Sequence, residues 1–290
     1  MLIRVPATTA NLGPGFDSLG MALQLYNTME ITESDTLMLP RYSGMQEEEV
    51  HLTYMAMQRV WKELGIHEKT IKLCSCDRIP IGKGLGSSSA CIVAGLLAAN
   101  RMEGDLLPLD RLLALAADME GHPDNVLPAL LGGFTAGYWD GEILHYLRFP
   151  PPKGIRIVMY IPDSPLMTSE ARRVLPDSYS RKDAVFNVAH AAMTAAAIAG
   201  GKPEALAFTM SDRLHQPYRK PLIPGWYPLE KLLREAGALA ICISGAGPSM
   251  MTLWQEEIYA PMIVPKEIPG NWKAEEYQCD IDGAIFIDEN

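Results

Sequence analysis

Ile79-Pro80-Ile81-Gly82-Lys83-Gly84-Leu85-Gly86-Ser87-Ser88-Ser89-Ala90 is the stretch around which the chain is organised. Gly82, Gly84 and Gly86 free the backbone for positive φ and for close approach of another group. The serines that follow can cap a helix through Cys91, Ile92, Val93, Leu96 and Leu97. Such a loop presents backbone N–H groups and the positive end of a helix dipole to a phosphate, and the unpaired N–H groups contribute most of the attraction. It is not a Walker A loop, because no Gly-Lys-Ser/Thr closes a G-x-x-x-x-G spacing, and it is not a dinucleotide fingerprint, because the third glycine of G-x-G-x-x-G is missing. The same residues also suit a flexible turn capped by serine, and composition leaves both readings open.

The rest of the chain bounds the answer. Its 290 residues can bury one large core or two smaller ones, and 48% hydrophobic with 21% charged residues describe an ordinary globular protein. A net charge of −10 argues against nucleic acid and anionic membranes as partners, so an anionic ligand needs locally clustered cations. The five cysteines, Cys74, Cys76, Cys91, Cys242 and Cys279, form no C-x-x-C pair and no zinc-ligand spacing. They are expected to be reduced thiols of a cytoplasmic protein. No signal peptide is expected at the N-terminus. The longest apolar runs, near 90–99 and 188–199, fall short of the roughly 20 residues of a membrane span and are expected to be buried helices.

Several other stretches carry chemistry-bearing residues. Leu2 to Val5 is strand-like, with Pro6 expected to end its regular pairing. In the glycine-rich loop from Ala10 to Gly20, Asn11 and Asp17 either aim at a ligand or satisfy their own backbone in an Asx-type turn. Residues 21–40 suggest strands, and Met45 to Glu49 a charged turn. Val50, Tyr54, Met57, Val60, Trp61 and Leu64 recur at helical spacing, as a core stripe. Leu109 to Met119 forms a further amphipathic helix with Asp110 as its expected N-cap. It runs into Glu120-Gly121-His122-Pro123-Asp124-Asn125-Val126, which suits a site loop or an ordinary helix connection. Asp140-Gly141 signals a hairpin, and Pro150 to Gly154 the strongest boundary, dividing the chain into 1–153 and 154–290. Beyond it, Ile155 to Ile161 is a buried strand and Asp183 to Ala199 an alanine-rich helix suited to close packing, with His190 a boundary histidine. Tyr227 to Ala236 is a helix, Ala238 to Ile243 a strand, and Cys279 to Ile287 a closing strand.

Position by position, Ile79 to Ala90 resembles the nucleotide-phosphate motif of the galactokinase, homoserine kinase, mevalonate kinase and phosphomevalonate kinase (GHMP) superfamily. Further segments, in the expected order, are more narrowly similar to homoserine kinases or to the superfamily's third motif. They are Val5 to Asp17, Glu120 to Phe134, Thr168 with Arg172 and then His215 to Arg219, and Ser244-Gly245-Ala246-Gly247-Pro248-Ser249. The resemblance implies an α+β, two-domain fold: an N-terminal ribosomal-protein-S5-domain-2-like nucleotide domain and a ferredoxin-like C-terminal domain. It also implies ATP-dependent phosphorylation of L-homoserine in the cytoplasm.

 The active form is implied to be a homodimer acting on L-homoserine and ATP, without nucleic acid or membrane as partner.

Residue by residue, the family's roles fall on positions of this chain. Pro80, Ile81, Gly82, Lys83, Gly84, Leu85, Gly86, Ser87, Ser88, Ser89 and Ala90 would cradle the phosphates, and Ser88 and Glu120 would ligate Mg²⁺. Asn11, Asp17 and His122 would reach the amino-acid substrate, and Arg172 and Arg219 would clamp its carboxylate in planar, bidentate fashion. Thr168 would lie near the γ-phosphate, and Asp124 and Asn125 near the reacting hydroxyl. Where the family carries an asparagine that helps to seat adenine, this chain has His51. Another superfamily kinase acting on mevalonate-like or sugar alcohols, and a catalytically silent ligand-binding relative, are the competing readings.

Overall fold

In the computed structural model the described residues are 1–40 and 51–287, so the turn expected at 45–49 and the first residue of the core stripe, Val50, lie outside them. The first half runs β1 (Leu2–Ala10), β2 (Leu19–Glu33), α1 (Leu52–Leu64), β3 (Ile71–Cys76), α2 (Ser87–Met102), α3 (Leu109–Glu120), α4 (Pro123–Leu131), β4 (Phe134–Trp139) and β5 (Leu144–Phe149). The second half adds β6 (Ile155–Ile161), α5 (Thr168–Arg173), α6 (Arg181–Ala199), α7 (Leu206–Thr209), α8 (Gln216–Arg219), α9 (Trp226–Glu235), β7 (Ala240–Ile243), β8 (Met250–Gln255), β9 (Lys273–Tyr277) and β10 (Ile285–Ile287).

The first sheet has six strands in the order β10-β1-β2-β4-β5, with β3 also paired to β2. Its spine is β2, whose 15 residues pair with β1 on one edge and on the other with β4 near its start and β3 near its end. Helices α2 and α4 lie against β1 and β2, α1 packs on α2, and α3 on both α2 and α4. The close approach of α1 and α2 depends on Gly95, where a Cβ would stand 2.1 Å from the Thr53 carbonyl oxygen. The β4–β5 hairpin forms where Asp-Gly signalled it: Asp140 Oδ1 accepts from the N–H groups of Glu142 (2.9 Å) and Ile143 (2.6 Å).

The second sheet is antiparallel, in the order β7-β8-β6-β9. Period-two alternation gives each of its faces a different core. Val158, Tyr160, Ile241, Ile243, Met250 and Trp254 pack with Trp226, Leu229 and Leu233 of α9. The intervening Ile157, Met159, Ala240, Cys242, Met251 and Leu253 join the large core of the first half. β10 then crosses back to pair with β1, closing the first sheet with residues from the end of the described chain.

Four local expectations are corrected. Pro6 does not end β1: the strand continues to Ala10, and the register shifts between Pro6 and Ala7, a bulge that accommodates the missing N–H. Gly86, in the left-handed region, is the N-cap of α2, and no serine side chain caps it. Helix α3 is capped by Pro108; Asp110 sits in its first turn and accepts from the Tyr146 hydroxyl at 3.1 Å. The alanine-rich α6 is not buried: Val185 is 62% and Val188 70% exposed, with only Asn187, Thr194, Ala197 and Ile198 turned inward. Its apolar residues surround the helix rather than forming one stripe, so composition alone gave no direction of burial. Among the described residues no helix is long and apolar enough to cross a membrane.

Trp226 is fully buried in the α9 core. Trp226→Ala is therefore expected to destabilise by about 3–5 kcal/mol in denaturant unfolding, whereas Val188→Ala on the open face of α6 stays within about 0.5 kcal/mol. Equal effects of the two would contradict this division of the core.

Candidate active site

One cavity of about 770 Å³ lies between the glycine loop, the α3–α4 junction, α5, α8 and the loop after β7. The loop reaches it in the conformation its composition suggested, with Gly82, Gly84 and Gly86 at φ 68°, 71° and 73°. A Cβ on Gly84 would lie 2.2 Å from the Ser244 carbonyl oxygen and 2.7 Å from that of Gly247, so only glycine lets the two loops touch. Ser244 Oγ donates to the Gly84 carbonyl oxygen at 2.6 Å, and Leu166 N–H to that of Gly82 at 3.0 Å. The first turn of α2 has no side-chain cap, and Ser87 and Ser88, whose N–H groups have no intrahelical partner, line the cavity.

The loop residues from Pro80 to Ser88 line this cavity, whereas Ser89 and Ala90 are buried beneath it in α2. Lys83 also borders the cavity, but its ammonium donates to the Pro162 carbonyl oxygen at 2.8 Å and to that of Asp163, strapping the loop to the second half. Burial pushes its pKa down. Ser88 Oγ donates to Glu120 Oε1 at 2.8 Å, bringing together a hydroxyl and a carboxylate from residues 32 apart. Two hard oxygen donors beside an anion cradle fit Mg²⁺, which keeps waters and phosphate oxygens for the rest of its shell.

The two halves of the α3–α4 junction serve different ends. Asp124 is 1% exposed, and His122 donates from Nδ1 to its Oδ1 at 2.5 Å. Burial alone would lower the His122 pKa, but the Asp124 hydrogen bond and charge outweigh it and the net shift is upward. Asn125 Oδ1 accepts from Thr8 Oγ1 at 2.7 Å, tying the junction to β1. Asp17, His122 and Asp124 have ligand atoms within 4.8 Å of one another, but His122 is engaged by Asp124 and Asp17 by Arg172, so these groups satisfy each other.

Asn11 braces rather than projects. Its Oδ1 accepts from the Asp17 N–H at 2.9 Å and its Nδ2 donates to the Gly245 carbonyl oxygen at 2.8 Å, while Asn11, Leu12 and Asp17 all hold positive φ. Asp17 then faces Arg172, which lies in the last turn of α5; Thr168, at the first position of that helix, lines the cavity. Arg219, from α8, reaches the same space although it is 1% exposed. It donates to the carbonyl oxygens of Ala171 (3.1 Å) and Gly245 (3.3 Å) and to His215 Nδ1 (3.3 Å). Burial, and the charge of Arg172, lower its pKa to about 10. His51, in the place of the family's asparagine, accepts from the Thr53 N–H as the N-cap of α1 and also borders the cavity.

Two residues of the site were not singled out by sequence. Phe16 lies under both guanidinium groups, 5.7 Å from Arg172 and 5.2 Å from Arg219, and stacks on His215 at 5.3 Å. His215 donates from Nε2 to the Gly13 carbonyl oxygen at 2.8 Å, which leaves Nδ1 to accept from Arg219. The available signals were the place of Phe16 beside Asp17 and the four-residue spacing of His215 and Arg219, which sets both on one side of α8.

This fold and site define a small-molecule kinase of the GHMP type: residues 51–133 match the GHMP kinases N terminal domain and 194–260 the GHMP kinases C terminal family. The chain belongs to the homoserine kinase family. It is 39% identical over 295 residues to a homoserine kinase of Caldicellulosiruptor bescii, covering 98% of this chain and 96% of that one. It is 42% identical over 259 residues to one from Clostridium beijerinckii, covering 88% and 86%. The crystal structure of homoserine kinase from Cytophaga hutchinsonii superposes with a TM-score of 0.86 at 26% identity, covering 99% of this chain and 97% of that one.

Burial lowers the His215 pKa, so the folded state holds this ring neutral and its contribution is complete above the unfolded value of about 6.5. It is lost as pH falls towards the depressed folded value. The stability difference between wild type and His215→Gln is expected to narrow from pH 7.5 to pH 5.5 in thermal unfolding. A difference that widens on acidification would show that His215 is not held neutral.

Proposed function

We propose that this protein transfers the γ-phosphoryl group of ATP to the side-chain hydroxyl of L-homoserine, giving O-phospho-L-homoserine and ADP for threonine biosynthesis. The observation that carries the reading is a cavity lined at once by a glycine-rich helix N-terminus, two guanidinium groups and the Asp17 carboxylate. The family likeness extends the reading to a cytoplasmic homodimer.

Phosphoryl transfer asks the protein for in-line positioning and charge neutralisation rather than covalent participation. The α2 N–H groups and the glycine loop bind the phosphates, and Thr168 donates towards the transferred group. Ser88 and Glu120 would hold Mg²⁺, which would offset the charge of the phosphates. Arg172 and Arg219 take the substrate carboxylate, and Asp17 its ammonium. Asp124 and Asn125 orient the hydroxyl. Asp124 is already engaged by His122, so its part is to fix the nucleophile, and the hydroxyl proton passes to the γ-phosphate.

Two experiments test this. In an ATP-dependent assay with L-homoserine, L-serine and mevalonate offered separately, homoserine alone is expected to turn over efficiently; preferred turnover of mevalonate would reject the acceptor assignment. Asp124→Asn is expected to keep kcat within about tenfold of wild type, because a general base contributes roughly 10² to 10⁴. A loss in that larger range with KM unchanged would assign proton abstraction to Asp124.

A further inference from the structure

The two groups that the homoserine reading assigns to opposite ends of the substrate are paired with each other. Arg172 Nη2 donates to Asp17 Oδ1 at 2.8 Å and Nη1 to Oδ2 at 3.1 Å, a two-pronged pair in which each oxygen takes one N–H. The pair is open to the cavity: the Arg172 and Asp17 side chains are 39% and 33% exposed. Its two members are anchored from different parts of the chain. Asp17 is held through Asn11 to Gly245, while Arg172 rides on α5 over the Phe16 ring.

Arg219 makes the pairing consequential. It is buried and forms no ion pair among the described residues; its three hydrogen bonds go to two carbonyl oxygens and a neutral imidazole nitrogen. Two guanidinium groups and the Asp17 carboxylate thus face the same space, with Asp124 and Glu120 also in its lining. A lone carboxylate that takes both guanidinium groups draws Arg172 away from Asp17 and then sits beside that displaced negative charge. A lone ammonium must take Asp17 and then sit beside two cations. Only a ligand with both groups re-pairs every charge that it disturbs.

We propose that the Asp17–Arg172 ion pair is a zwitterion gate, exchanged for the ammonium and carboxylate of the substrate together, so that the two charges are recognised jointly rather than as separate contacts. The proposal rests on the homoserine reading and adds to it a coupling between the two ends of the site. It gives Asp17 opposite effects on two ligands. Removing its charge weakens homoserine, whose ammonium loses its partner. The same change strengthens 4-hydroxybutyrate, which is homoserine without the amino group, because Arg172 is released and the repelling carboxylate is gone. A clamp of independent contacts would leave 4-hydroxybutyrate unaffected, and simple damage to the loop would weaken both ligands.

The test is calorimetric titration of wild type and Asp17→Asn with L-homoserine and with 4-hydroxybutyrate. Asparagine keeps the side-chain shape and tolerates the φ of 53° found at this position. Homoserine is expected to bind at least about tenfold more weakly to the variant, and 4-hydroxybutyrate about three- to fivefold more tightly, the range for a partly exposed ion pair. Arg172→Gln provides the reciprocal arm and serves if Asp17→Asn does not fold: it should tighten 3-amino-1-propanol, which lacks the carboxylate, by a similar factor. Unchanged or weakened binding of the single-charge ligands by folded variants overturns the gate. If wild type turns over homoserine and the variants fail in this way, the gate alone is wrong; if wild type has no homoserine turnover, the substrate reading falls and the gate with it.

Discussion

The site depends on the end of β1, the glycine loop and the loop after β7, segments distant in sequence that complete one another's hydrogen bonds. Thr8 N–H donates to the Leu85 carbonyl oxygen at 3.1 Å, Gly245 N–H to that of Ala10 at 3.1 Å, and Ser244 Oγ to that of Gly84 at 2.6 Å. These groups find their partners in another segment, and burying them unpaired would cost about 1–3 kcal/mol apiece. The segments therefore come together or not at all. Their packing fixes the glycine cradle and, through Asn11, Asp17 on the lining of one cavity.

The same constraint explains how the protein keeps a buried cation. An isolated guanidinium in a protein interior is expensive unless its donors are met. Arg219 meets them with carbonyl oxygens of Ala171 and Gly245, each belonging to a segment that also shapes the cavity, and with a histidine whose other nitrogen is committed to Gly13. Phe16 adds an aromatic face beneath both arginines. The recognition groups are preorganised by the scaffold, which lessens the ordering that a small ligand must bring about on binding.

Much of this was legible in the chain. The glycine loop, the hairpin at Asp140-Gly141, the strand from Ile155 to Ile161 and the core stripe of α1 follow from local backbone chemistry and periodicity, and the structure has them. The failures also have local causes. Asp110 looked like a cap because it precedes an apolar run, but Pro108 fixes an extended φ and ψ that starts the helix two residues earlier. The alanines of α6 have no hydrophobic direction, so composition could not distinguish a buried helix from an exposed one. Lys83 lines the cavity with the rest of the loop, and only the tertiary structure reveals that its ammonium donates to the Pro162 and Asp163 carbonyl groups.

By itself the sequence determined the kinds of element and the inventory of chemical groups, because turns, caps and amphipathic faces are set by neighbours within a few residues. It could not determine which of those groups stand together. Asp17 and Arg172 are 155 residues apart, and Ser88 and Glu120 lie on different helices. Their encounters are decided by how β6 divides its faces between two cores and by the loops that dock across them. Contacts of that kind are long-range consequences of packing, and only the tertiary structure contains them.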